Sequence, residues 1–188
     1  MDKKGFNNTF GIILVAVLFL VMGFLMAFIF LGSTNYDKVY EEKITSGEII
    51  NPVKNLTTEE AIQRFDEDFV YYLLYSIKAY NLHTPFFNSE VPEIEFQIND
   101  DIYNAVIYDG EIIVSEGKIN EEDIIIHTSK TEAVKMIQDV DYIDESFQNG
   151  DSSIEMVAEK IELFSKGYLE FYEDLTGEGI TGFIIRSF

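Results

Sequence analysis

From Phe10 to Leu31 the chain runs through 22 residues with no charge, no proline and two glycines, Gly11 and Gly23. Few folds accept such a run. A helix on the surface of a soluble domain keeps a polar face, and this one has none. About 20 apolar residues wound into a helix cross the hydrocarbon core of a bilayer. For a single segment a helix is the one solution there, because lipid offers the backbone no other hydrogen-bond partner. The run therefore predicts one transmembrane helix over 10–31, with 1–9 as a short N-terminal tail. A cleaved signal peptide has a shorter apolar region, about 7–15 residues, and ends in a small-x-small site. Here the run is longer, and Leu31-Gly32-Ser33-Thr34-Asn35 is a poor site. Lys3-Lys4-Gly5-Phe6 also resembles the leader of a pilin-like subunit, but Thr9 and Phe10 stand where type IV pilins carry a carboxylate. Lys3 and Lys4 lie closer to the span than Lys38 and Lys43 do. That asymmetry leans towards an N-terminus inside and a soluble part that is extracytoplasmic.

Charge narrows the partners. The chain carries −21, and residues 1–32, with Asp2, Lys3 and Lys4, contribute +1, which leaves −22 on the remainder. Binding nucleic acid and lying flat on an anionic leaflet both require a basic face, so neither is expected. With no cysteine there is no disulfide frame, thiolate metal site or thiol nucleophile. The remaining length is enough for one domain with a real core.

Periodicity then divides that domain. Residues 32–55 are polar, with Gly47 and Pro52, and read as a stalk between bilayer and domain. Thr57-Thr58-Glu59-Glu60 is a capping box. Ile62, Phe65, Phe69, Leu73 and Ile77 follow at helical spacing, with Glu60, Asp66, Glu67 and Asp68 on the opposite flank, and predict one helix to about Tyr80. The period changes to two at Ile94, Phe96 and Ile98, which alternate with Glu93, Glu95 and Gln97. Asn99-Asp100-Asp101 turns the chain into Ile102–Tyr108, Asp109-Gly110 makes a hairpin into Ile112–Ser115, and Ile124-Ile125-Ile126 forms a further strand. Ser129-Lys130-Thr131-Glu132 caps a short helix carrying Ala133, Val134 and Ile137. Asp144 to Gln148 reads as a further helical turn, stopped by Asn149-Gly150 before a fifth strand at 152–157. Ile161, Phe164, Tyr168, Phe171 and Leu175 mark one long amphipathic helix over 158–175. The expected architecture is α+β: a single N-terminal transmembrane helix, then an antiparallel sheet of about five strands backed by helices over 56–176, and an apolar C-terminal tail over 177–188.

This order resembles a sterol carrier protein type two (SCP2-like) domain over about 59–175. The likeness is carried by the strand and hairpin Ile102–Gly110, by Asp123-Ile124-Ile125-Ile126-His127-Thr128-Ser129 with its capped helix, and by the turn Phe147-Gln148-Asn149-Gly150. Two departures stand against it. Asp151-Ser152-Ser153-Ile154-Glu155 replaces a lysine-rich strand, and Asp139 replaces a glycine at the end of the short helix. The resemblance implies an apolar tunnel between sheet and helices that holds a lipid or fatty acyl ligand. Phe96, Ile98, Tyr103, Ala105, Ile107, Ile125, Phe147 and Met156 are the candidate ligand-binding residues.

Catalytic signals are weak. His83 and His127, the two histidines, share no ligand spacing. No serine has a nucleophile-elbow context, the acidic turns lack the calcium-loop pattern, and no glycine-rich loop opens a helix. No catalytic residue, metal or cofactor is expected. Two functions stay open on the residues. One is a non-catalytic, membrane-anchored domain that binds a hydrophobic ligand. The other is a structural or accessory subunit of a membrane or cell-surface assembly, a pilin-like one included, with the same fold as a dry scaffold. Gly23-x-x-x-Ala27 would then suit packing against a membrane protein partner.

Overall fold

The computed structural model describes residues 13–15, 17–21 and 36–177. It has two compact units, 1–35 and 36–188. In the first, 13–15 and 17–21 are helical, and their eight side chains, Ile13 to Val15 and Val17 to Val21, are each 52–74% exposed. No helix among the described residues is long and apolar enough to cross a membrane. Most of the span expected over 10–31, and most of the tail at 177–188, lie outside the described residues.

The second unit is α+β, with a five-stranded sheet covered on one face by helices. Its first helix, α1 (Tyr36–Ser46), occupies the segment expected as a stalk. Tyr40 is 2% exposed, and Ile49 and Val53 are buried after it. The Tyr40 ring stacks on Tyr80 at 4.3 Å, and its hydroxyl donates to Gly110 O at 2.6 Å. Aromatic spacing was hidden here because one buried tyrosine in a polar helix leaves no stripe.

Thr57 caps α2 (Thr58–Gln63) through the reciprocal bonds of a capping box with Glu60. The single helix expected to Tyr80 is instead broken. Asp66 does not lie on a helix flank; its carboxylate accepts from Asp68 N–H at 3.1 Å and caps a new helix, α3 (Glu67–Ser76). A left-handed Lys78 (φ 56°) then leads into a 3₁₀ turn, Ala79–Asn81.

The strands are β1 (Glu93–Ile98), β2 (Asp101–Tyr108), β3 (Glu111–Glu116), β4 (Ile124–Thr128) and β5 (Ser153–Met156), in the spatial order β3-β2-β1-β4-β5. The β2–β3 hairpin turns on Asp109 (φ 52°) and Gly110 (φ 80°), both left-handed as a two-residue turn demands. The sheet is mixed, not an antiparallel meander, because β4 pairs parallel to β1. Both ends of that pairing are pinned: Asp123 Oδ2 accepts the Glu93 N–H at 2.8 Å, and Asn99 N–H reaches Thr128 O. β1 thereby becomes the central strand. Ile94, Phe96 and Ile98 point towards the helices, with Tyr103, Ala105, Ile107, Ile112, Ile124 and Ile126, all buried. Residues 117–123 must return from the end of β3 to the start of β4 across β2 and β1. Asn104 Nδ2 holds Gly117 O on the face away from the helices, the face where Glu95 is 2% exposed and accepts from Gln97.

Ser129 caps α4 (Lys130–Gln138), and α5 (Tyr142–Asn149) stops at a left-handed Gly150. The long helix expected over 158–175 is two, α6 (Lys160–Lys166) and α7 (Tyr168–Thr176). Gly167 between them has φ 90° and lies against the His83 ring, so the apolar stripe continues while the backbone does not. Helix α3 packs on α4 and β3, α2 on α4, and α5 on α7 and α4.

Candidate functional site

Between the sheet and the helices lies a small void of about 10 Å³, lined by Leu73 and Ile77 of α3, Phe96 and Ile126 of the sheet, Thr128, Met136 of α4, Phe147 of α5 and Leu175 of α7. That is the place of the expected tunnel. Two of the eight candidate residues, Phe96 and Phe147, touch it. Ile98, Tyr103, Ala105 and Ile107 face the same layer and are fully packed elsewhere in it. Met156 is half-buried at the β5 edge against the core. Ile125 is a correction: its neighbours Ile124 and Ile126 point to the helices, so strand alternation turns Ile125 to the opposite face, paired with Glu95 and Glu155. Three consecutive isoleucines carry no parity signal, which is why the sequence pointed to the wrong one. Leu73, Ile77, Ile126, Met136 and Leu175 were missed as lining residues because nothing in a helical stripe says which turn meets a void.

Thr128 is the void's polar member. Its hydroxyl sits 2.7 Å from Ser152 Oγ, which is 2.9 Å from Ser146 Oγ. Ser146 and Tyr142 both donate to Glu132 Oε2, and Lys135 donates to Oε1. Burial alone would raise the Glu132 carboxyl; the bonds from Lys135, Tyr142 and Ser146 outweigh it and hold it below the usual range. Among the described residues no buried side-chain nitrogen or oxygen lacks a hydrogen-bond partner, so the interior shows no polar group waiting for a ligand.

A second cluster lies at the β1–β4 end. Lys166 Nζ, 3% exposed, donates to Asp123 Oδ1 and Glu162 Oε1, both at 2.6 Å. Tyr168 OH donates to Asp123 Oδ2 at 2.9 Å. Burial pushes Asp123 upward against these donors, and it pushes the Tyr168 hydroxyl well above its ordinary range. Lys166 is lowered by burial but raised more by its two carboxylates, with a net rise. Glu93, nearby, is raised by burial and by the Asp123 charge. The open cleft beside them, about 530 Å³, is edged by Glu90, Glu93, Glu121, Glu122 and Glu162. This cluster ties β1, β4, α6 and α7 together.

His127 Nε2 stands 3.3 Å from Glu155 Oε2, and His83 Nδ1 is 3.2 Å from Asn81 O, so the two histidines do not meet. Among the described residues no group of three or more His, Asp or Glu side chains is placed to hold a metal ion.

No family model matches the chain, and no curated protein matches it. Three solved structures resemble the fold in part. A ubiquinone synthesis protein, UbiJ-SCP2, aligns with TM-score 0.33 and 9% identity over 52% of this chain and 78% of its own. Sterol Carrier Protein 2 Like 2 from Aedes aegypti gives 0.32 and 11% over 53% and 95%. Sterol Carrier Protein 2 from Yarrowia lipolytica, apo form, gives 0.30 and 10% over 57% and 78%. These are the family named from the sequence motifs, but likenesses this slight bear on neither ligand nor function.

Proposed function

We propose that this chain is a single-pass membrane protein whose domain binds a hydrophobic molecule, of lipid or fatty acyl kind, between sheet and helices without catalysing a reaction. The observation that carries the ligand is the position and lining of the void. It lies between Phe96 and Ile126 on one side and α3, α4, α5 and α7 on the other, and one of its eight lining residues is polar. The anchor rests on the uninterrupted apolar run and on its described helical residues, whose side chains are exposed all round with no covered face. With Lys3 and Lys4 before the span, the domain stands on the extracytoplasmic side.

The described state is closed. Pockets for drug-sized ligands run to ~300–1,000 Å³, far above the void here, so uptake requires the helices to part from the sheet. The same small volume favours a second reading, a dry scaffold serving as a structural or accessory subunit with a membrane protein partner. Native mass spectrometry of residues 36–188, purified without detergent and then offered oleic acid, separates the two. A one-to-one adduct that exchanges with added fatty acid supports the binding domain. A clean protein mass at saturating fatty acid sinks it and leaves the scaffold.

A further inference from the structure

Helix α3 borders two spaces. Leu73 and Ile77 line the void, while Tyr72 and Tyr75 line a separate open cleft of about 400 Å³. Asp37 and Glu41 of α1 form a second wall of that cleft, and Lys78 and Tyr80 a third. Asp37 and Glu41 are four apart, so one face of α1 presents both carboxylates; Tyr72 and Tyr75, three apart, present both rings from α3. The rings are firmly seated. The Tyr72 and Tyr75 centroids are 5.9 Å apart with planes tilted by 53°, and those of Tyr75 and Tyr80 are 5.8 Å apart with planes at 34°. Buried Tyr40 packs on two of them, stacked on Tyr80 and with its centroid 5.2 Å from that of Tyr75. The Tyr80 hydroxyl donates to Asp37 Oδ1 at 2.8 Å and ties the acidic wall to the aromatic one.

Two further observations say what that cleft can hold. Among the described residues no cation lies within ion-pair distance of Asp37 or Glu41, and Lys78, in the same lining, pairs with neither. The same tyrosine cluster already takes an ammonium at another ring, with Lys43 Nζ 5.2 Å from the Tyr40 centroid. Burial first, then Tyr72, Glu41 and Asp37, raise the Tyr75 hydroxyl, so both carboxylates act on the ring at the centre of the aromatic wall. We infer that this cleft binds a small-molecule cation of the quaternary ammonium class, its methyl groups against Tyr72, Tyr75 and Tyr80 and its charge facing Asp37 and Glu41. Ring faces attract a cation through their quadrupole. A primary ammonium is compact, strongly hydrated and has three N–H groups to satisfy. A trimethylammonium group has none, and it gains from apolar ring contact and from two carboxylates without needing fixed acceptors. The site is independent of what the void holds.

The full chain in dodecylmaltoside micelles is titrated by calorimetry with choline and, separately, with dimethylbutanol, the neutral carbon isostere of choline. The expected result is saturable one-to-one binding of choline, about tenfold or more tighter than that of the alcohol. Glu41→Gln should weaken choline binding about threefold or more and Tyr75→Leu about fivefold or more, while Lys78→Gln, which removes the cation of the lining, should strengthen it. Phosphocholine separates two sources of the same group. Binding as tight as that of choline points to a lipid headgroup, and rejection of the phosphate points to a free ammonium compound. Absence of saturable binding, or equal affinity for choline and the alcohol, overturns the proposal. So does a Tyr75→Leu chain with parent-like circular dichroism and unchanged affinity. Should that variant unfold, Glu41→Gln, at an exposed position, decides alone, and unchanged affinity there overturns the proposal.

Discussion

Replacing Lys166 by methionine strands a carboxylate inside the domain. Asp123 is 1% exposed. It would keep the Tyr168 hydroxyl and the Glu93 N–H on Oδ2 but lose the ammonium on Oδ1. Glu162, with 28% of its side chain exposed, can turn to water, so most of the cost falls at Asp123. Breaking one side of a buried pair costs ~3–5 kcal/mol because the remaining charge stays desolvated. We expect a loss in that range for Lys166→Met, measured by urea unfolding of residues 36–188 followed by circular dichroism. Adding Asp123→Asn removes the stranded charge and keeps an acceptor for Tyr168 and Glu93. The double variant should therefore recover to within about 1–2 kcal/mol of the parent. The pH dependence has a definite sign. Burial already raises the folded Asp123 carboxyl, and without Lys166 nothing cationic opposes it. A carboxyl with a raised folded pKa binds its proton more tightly in the folded state. Stability of Lys166→Met is then highest below the unfolded carboxylate range and falls as pH rises through the folded value. The parent minus variant difference should thus widen from acid towards neutral pH. A loss below about 1 kcal/mol, or a double variant no better than the single, would refute the reasoning, because either result means the pair is not desolvated.

The void and the buried tyrosines give two more expectations. Phe147→Ala enlarges an existing void lined by Leu73, Ile77, Phe96 and Leu175, and should cost ~3–5 kcal/mol in the same unfolding assay while strengthening uptake of a small hydrophobe such as benzene; loss of stability without binding means the layer collapses into the space. Burial pushes the Tyr103 hydroxyl up to about 12 and raises Tyr40, Tyr80 and Tyr168 further. Their contribution is fully present below the ordinary tyrosine range near 10 and is lost as pH rises through the folded values, so spectrophotometric titration should show tyrosinate appearing late and together with unfolding.

Signals confined to neighbouring residues were readable from the sequence. The caps at Thr57 and Ser129, the Asp109-Gly110 hairpin and the stop at Gly150 each satisfy backbone groups within a few residues, and each stands where expected. What failed was non-local. Asp66 has the same identity on a helix flank as at a cap, and Gly167 interrupts a stripe whose apolar period runs straight through it. The parallel neighbour of β1 depends on Asp123, thirty residues away, reaching Glu93. The same limit applies to the site. Phe96 and Phe147 were picked as apolar residues on buried faces, and they meet the void; Ile98 and Ala105 have the same chemistry and do not. A packed core and a ligand chamber use the same side chains, and their difference is a matter of angstroms.

The wiring of the sheet also dictates an order of assembly. β1, β2 and β3 are joined by turns and can zip together from local contacts. β4 cannot join until the chain has closed a loop across two strands, and β5 pairs with β4 alone among the strands, so its place in the sheet waits on β4. Loop closure of this kind costs entropy before any contact repays it, so the slow step in reaching the native state should be the arrival of Ile124–Thr128 beside β1. Until then the open edge of β1, with Phe96 and Ile98 uncovered, is the surface on which two nascent copies of this chain would pair wrongly.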